Sequence, residues 1–167
     1  MGLFTSPIKT FDDLYLHTLQ DIYYAEQQIT KGLTEMIGKA ENASLKQAFQ
    51  KHLGETEQQI KRLEDAFNIL GEKAKGATCP AIDGIIKEAR EIISDCDDHE
   101  VRDAAMLAAA QAVEHYEITR YGTLISWSNQ LGRKDIAAIL EKNLAEEKAT
   151  DEKLTKLGES RINKQAA

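Results

Sequence analysis

A bundle of long α-helices is the fold class this sequence predicts: four of them, in two pairs joined by a crossover helix. Three observations predict it. Apolar residues recur at helical spacing over four long stretches. The only prolines, Pro7 and Pro80, lie outside those stretches, so nothing in them removes a ladder hydrogen bond. The segment between the second and third stretches is too long for a hairpin turn and carries an amphipathic pattern of its own.

The first helix is expected over residues 11–38. Thr10-Phe-Asp-Asp13 resembles a capping box, and Leu14, Thr18, Ile22, Ala25, Ile29, Leu33 and Met36 follow on one face. Gly38 and Asn42 are expected to end it. The second helix, 44–71, has a capping signal in Ser44-Leu-Lys-Gln47, a stripe through Phe49, His52, Thr56, Gln59, Leu63 and Phe67, and Gly71 as a C-cap. Gly76, Thr78, Cys79 and Pro80 make an irregular connection into the crossover helix, 81–95, whose apolar face is Ile82, Ile85, Ile86, Ala89, Ile92 and Ile93. Asp97-Asp-His-Glu100 offers caps for the third long helix, 99–131. Its stripe runs through Leu107, Ala110, Glu114, Glu117, Tyr121 and Leu124. The fourth, 134–158, carries Ile136, Leu140, Leu144, Glu147, Asp151 and Leu154, with Gly158 closing it and a frayed tail beyond.

A chain of 167 residues suffices for one domain with a sizeable core; the domain is read as residues 1–167, ordered over about 10–158. The net charge of −7 argues against a nucleic-acid partner, because an acidic surface repels phosphates. The basic cluster Lys153, Lys156, Arg161 and Lys164 is diluted by Asp151, Glu152 and Glu159 and reads as a solvated helix end. No run approaches the ~18 apolar residues of a membrane span. The N-terminus lacks the basic start and apolar run of a signal peptide, and the weak myristoylation match at Gly2–Ser6 is discounted. A cytoplasmic protein is expected. Cys79 and Cys96 lack zinc-finger spacing and read as reduced thiols, a bridge being the alternative. Nucleophile triads, phosphate-binding glycine loops and dinucleotide fingerprints are absent, which removes hydrolase, kinase and dehydrogenase readings.

The informative residues are glutamates that break into the apolar stripes in two matched halves. Glu26 and Glu55 belong to the first pair of helices, Glu117 and Glu147 to the second. Glu114 lies one turn from Glu117 and supplies a fifth carboxylate. A buried charge costs several kcal/mol unless paired or bound, so four that converge call for cations. Two divalent ions, supplying about four positive charges, would balance them. The alternative is a helix phase shifted by one residue, which would turn these side chains to solvent; Glu146 beside Glu147 shows the ambiguity. His52 is either a ligand or a donor that orients a ligating carboxylate. Gln59 fits the orienting role better, and Asp151 fits either. Tyr121 is placed to hydrogen-bond a ligating carboxylate or simply to fill the core, and Tyr24 reads as lying near the centre or filling the core. His17 and His99 read as surface residues, His115 and Trp127 as packing or interface.

The stretches HLGETEQQI (52–60), TCPAIDGIIKEA (78–89), AAAQAVEHYEITRYGTL (108–124) and LAEEKATDEKL (144–154) resemble the YciE/YciF group of ferritin-like, stress-associated bacterial proteins, closest to its YciF branch. The resemblance runs from about Thr10 to Leu157. It implies a ferritin- or rubrerythrin-like four-helix bundle with an extra helix, a homodimer, and a dinuclear carboxylate metal centre. The ferritin-like pattern places a histidine three residues after the glutamates of the second and fourth helices. Here those positions are Gln58 and Thr150. An oxygen-rich site favours hard cations, so Mg or Ca compete with the expected Fe or Mn, and fast ferroxidase chemistry is less favoured. The expected function is a dimetal-carboxylate protein that reacts with peroxide or oxygen under stress. The alternatives are a structural stress protein whose bundle a metal stabilises, and an iron-storage shell.

Overall fold

The computed structural model describes residues 7–167, and the Gly2–Ser6 match lies outside them. Five helices of two turns or more account for the architecture: α1 (Phe11–Lys39), α2 (Ala43–Leu70), α3 (Pro80–Asp95), α4 (His99–Gln130) and α5 (Lys134–Leu157). A π-helical turn, Gly158–Ile162, and a short α6, Asn163–Ala166, continue from α5. No strand occurs among the described residues.

Local chemistry sets most boundaries. Thr10 and Asp13 form a reciprocal capping box at the start of α1. Helix α1 passes through Gly38 to Lys39, so Gly38 does not stop it. The cap of α2 is Asn42, whose side chain accepts from the backbone of Ser44 and Leu45; the expected Ser44 already lies inside the helix. Asp98 caps α4 in the same way. Gly71 (φ 71°) and Gly132 (φ 73°) take the left-handed conformation that lets α2 and α4 end in tight turns.

The C-terminal expectation is overturned. Gly158 is right-handed helical and continues the helix. Ile162 is buried, and Gly158 sits against Leu107 of α4. The apolar period therefore persists past Gly158 through Ile162, and its burial ties down what reads from sequence as a loose end.

Helix α1 packs on α2 and α4, and α5 packs on α4 and α2, so the four long helices close a ring. Helix α3 lies outside it across α1 and α4. Apolar layers fill both ends of the ring. Tyr15, Leu19, Leu124 and Ile136 are fully buried in one, and Leu33, Leu45, Phe49 and Met106 are buried in the other. At ~1.5–3 kcal/mol per large side chain, these layers offset the cost of what lies between them. Cys79 is buried and Cys96 half-buried, both as free thiols.

Candidate metal centre

The middle of the ring is polar. Each long helix reaches it near its midpoint, and spacings of three and four residues stack the side chains on one face. Helix α1 supplies Glu26; α2 supplies His52, Glu55 and Gln59; α4 supplies Glu114, Glu117 and Tyr121; α5 supplies Asn143 and Glu147. Glu26, Gln59, Glu117, Asn143 and Glu147 are entirely buried, and His52 and Glu114 almost so.

Donor atoms of His52, Glu114, Glu117 and Glu147 lie within 4.8 Å of one another, a group that could hold a metal ion. His52 Nε2 is 3.1 Å from Glu114 Oε1 and 3.5 Å from Glu147 Oε2. Its Nδ1 lies 3.3 Å from the Thr150 hydroxyl and 3.8 Å from Glu55 Oε2. Tyr121 donates its hydroxyl to Glu26, and Asn143 donates to that hydroxyl at 3.0 Å. Gln59 donates to Glu147 and, at 3.1 Å, to Glu146. Arg62 grips Glu146 with two nitrogens, at 2.7 and 2.8 Å, and reaches Asn143 at 3.0 Å. One partly exposed guanidinium thus holds both chains of hydrogen bonds that orient Glu26 and Glu147.

The charges conflict. Burial, opposed in part by Tyr121 and His52, raises Glu26 to about 7. Burial first, then the charges of Glu147, Glu26 and Glu114, lifts Glu117 well above the usual carboxylate range. Burial also raises Glu147, although His52 acts against it. Burial opposes protonation of His52, but Glu114, Glu55 and Glu147 outweigh it and hold the imidazole well above its ordinary value. Protons relieve part of this crowding, yet many polar atoms stay idle. Glu26 Oε2, His52 Nε2, Glu55 Oε2, Gln59 Oε1, Glu114 Oε2, both oxygens of Glu117 and Glu147 Oε2 are buried without a hydrogen-bond partner. His52 Nε2 is near Glu114 but not aligned to bond it. Buried polar atoms are almost always satisfied. Eight orphans facing one region suit cations as ligands.

The sequence-derived residues divide accordingly. Glu26, Glu114, Glu117 and Glu147 come together around His52, and Tyr121 and Gln59 orient two of them. Glu55 stands at the edge: its side chain is 22% exposed, and Lys51 takes one oxygen while the other turns toward His52. The buried phase of α2 runs through His52, Thr56, Gln59 and Leu63, and Glu55 is one position off it. Asp151 turns away, accepting from Gln111 at 3.0 Å and facing His115 at 3.3 Å on the outer seam of α4 and α5. Tyr24 also leaves the centre, donating to Asp83 of α3. Sequence reasoning missed Arg62, Asn143 and the pairing of Thr150 with His52. Asn143, at the buried phase one turn before Glu147, was the available signal.

The sequence profile of the family described as a domain of unknown function, DUF892, matches residues 10–167. Protein YciF of Escherichia coli (strain K12) is 46% identical over 160 residues, covering 95% of this chain and 96% of that protein. The crystal structure of that E. coli stress protein superposes with a TM-score of 0.89, covering 94% of this chain and 99% of the other. A solved structure of YcfI from Rhodopseudomonas palustris, described as a proposed structural protein, is 56% identical, with a TM-score of 0.89 over 92% of this chain and 98% of its own. A protein from Xanthomonas campestris pv. campestris shares the fold at 21% identity and a TM-score of 0.76. With this profile match and this identity to YciF, the chain belongs to the DUF892 family, in the YciE/YciF group of stress proteins.

Proposed function

We propose that this protein is a single-domain, ferritin-like dimetal-carboxylate stress protein. It binds two divalent cations between its helix pairs, with Fe or Mn first and Mg or Ca next, and reacts with a small oxidant, peroxide or oxygen. The observation that carries the reading is the set of eight buried, unpartnered donor and acceptor atoms on Glu26, His52, Glu55, Gln59, Glu114, Glu117 and Glu147. Glu26, Glu114, Glu117 and Glu147 would hold the ions with His52, and Glu55 would close the edge by releasing Lys51. The ring of four long helices, with α3 in the long connection, supports the ferritin-like reading.

When bound, the ions would supply Lewis-acid or redox chemistry. The protein's own part is better defined. Tyr121 and Asn143 fix the Glu26 carboxylate, and Gln59 fixes Glu147. Thr150 faces Nδ1 of His52, which leaves Nε2 toward the centre. The apolar layers on either side exclude bulk water.

A second reading is a structural protein whose bundle a metal stabilises without turnover. The single imidazole and the description attached to YcfI favour it. Elemental analysis of the purified protein comes first, and an absence of bound metal after loading with ferrous, manganous, magnesium and calcium ions in turn sinks both readings. A spectral change on adding peroxide or oxygen to the loaded protein selects the first. A rise in melting temperature alone selects the second. A homodimer in the cytoplasm is proposed from the family resemblance, and light scattering tests the dimer. No helix among the described residues is long and apolar enough to cross a membrane.

A further inference from the structure

An apolar cavity of about 40 Å³ lies where α1, α3 and α4 meet, walled by Ile29, Leu33, Ile86, Ile93, Ala110 and Val113. Its inner end is His52 and Glu114, both buried members of the carboxylate cluster. Its outer end carries Glu35 and Arg90, whose side chains are half-exposed. Arg90 of α3 clasps Glu35 of α1 through two hydrogen bonds, at 2.8 and 2.7 Å, across that mouth. The cavity therefore runs from half-exposed residues to two residues of the centre, His52 and Glu114. Glu55, the polar edge of the same cluster, is not among its walls.

Size and polarity choose the occupant. A water needs roughly 10–15 Å³ of such space, so the cavity admits a few atoms and no organic substrate of ordinary size. A hydrated cation or peroxide would leave its hydrogen bonds behind and find no replacement along the apolar stretch between the two ends. Dioxygen has none to lose. We propose that this cavity is the entry path by which dioxygen reaches the centre, with the Glu35–Arg90 clasp at its door. The proposal rests on the dimetal reading and selects dioxygen over peroxide as the molecule that uses this route. Helix α3 thereby gains a role beyond connection, because it supplies one wall and half of the clasp.

Gly32 lines the cavity, and a Cβ added there meets nothing within 4 Å. Gly32→Leu should therefore leave its Cβ free of clash and direct added bulk at the cavity, and it exchanges a poor helix former for a good one. Crystals of the full chain under xenon pressure should show xenon between Leu33 and Ala110 in the wild type and not in Gly32→Leu. After ferrous loading, oxidation by dioxygen should slow by about tenfold or more in the variant, about 1.4 kcal/mol in barrier. In that assay two ferrous ions give one electron each to one dioxygen, which takes two protons and leaves as hydrogen peroxide. Ferrous affinity and the rate with added peroxide should stay unchanged. No xenon in the wild type overturns the cavity, and an unchanged dioxygen rate in a xenon-free variant overturns the route. A protein that takes up no iron overturns the route, one that takes up no divalent ion overturns the dimetal reading as well, and xenon density separates either failure from a missing cavity. If Gly32→Leu does not fold, Ala109→Leu at the same wall serves the same comparison.

Discussion

Thr150 Oγ1 lies 3.3 Å from Nδ1 of His52, joining α5 to the one imidazole of the buried cluster. On the proposed ferritin-like reading, Thr150 stands where that pattern has a histidine, and it faces an imidazole supplied from α2. Thr150→Val keeps the shape and removes the hydroxyl. Partners that orient ligands are worth about 10–100-fold in metal affinity, and calorimetric titration with manganous ion should show a loss in that range with the fold intact.

Glu117 has two buried oxygens and no hydrogen-bond partner. In metal-free protein it is a liability, so Glu117→Gln should raise the melting temperature while abolishing tight binding of metal. Relief of about 1 kcal/mol corresponds to roughly 2–4 °C for a domain of this size. A lower melting temperature in the metal-free variant would contradict the picture of crowded charge.

The pH dependence has a definite sign. Glu26 is raised from 4.5 to about 7, and Glu117 and Glu147 are raised as well, in each case by burial first. A group whose folded value exceeds its unfolded value contributes stability below the unfolded value and loses it as pH climbs through the folded one. The carboxylate contribution is therefore full below 4.5 and fades upward through about 7. His52, also raised, contributes fully below 6.5 and fades above it. Glu55 runs the other way: lowered to about 2, chiefly by the neighbouring His52 imidazole, it contributes above 4.5 and is lost only as pH falls through about 2. Metal-free protein should thus melt at a higher temperature near about pH 5 than near about pH 8, and added metal should help more at the higher pH, where fewer protons compete. Equal melting temperatures at the two pH values would speak against it.

Arg62 is the shared anchor of two hydrogen-bond chains, one through Asn143 and Tyr121 to Glu26 and one through Glu146 and Gln59 to Glu147. Arg62→Ala should weaken metal binding by about 10–100-fold. Arg62→Lys should not restore it, because an ammonium cannot make the two-pronged grip on Glu146. Equal affinities in wild type and Arg62→Ala would make the clasp a surface ornament.

Ile162 is buried in the segment that follows Gly158. Ile162→Ala should cost about 2–5 kcal/mol, the range for emptying a core position. Urea denaturation measures it, and a cost under about 0.5 kcal/mol, the scale of surface changes, would return the tail to the solvent.

Periodicity and caps made the helices legible, since both are local properties: Thr10 with Asp13, Gly71 and Gly132 act through neighbours in sequence. The same periodicity identified Glu26, Glu114, Glu117 and Glu147 as carboxylates on buried stripes. Glu55 and Asp151 satisfied it too. Only packing separates them, because a helix turns 100° per residue and the width of its covered face depends on the helices around it. Arg62, Asn143 and the Thr150–His52 pair were beyond the sequence, since each is defined by a partner on another helix. What the chain alone determined was the set of long amphipathic helices and the carboxylates set into their buried stripes. What only the tertiary structure decided was which of those groups meet and which orient the others, because convergence is a distance between helices and no single helix encodes it.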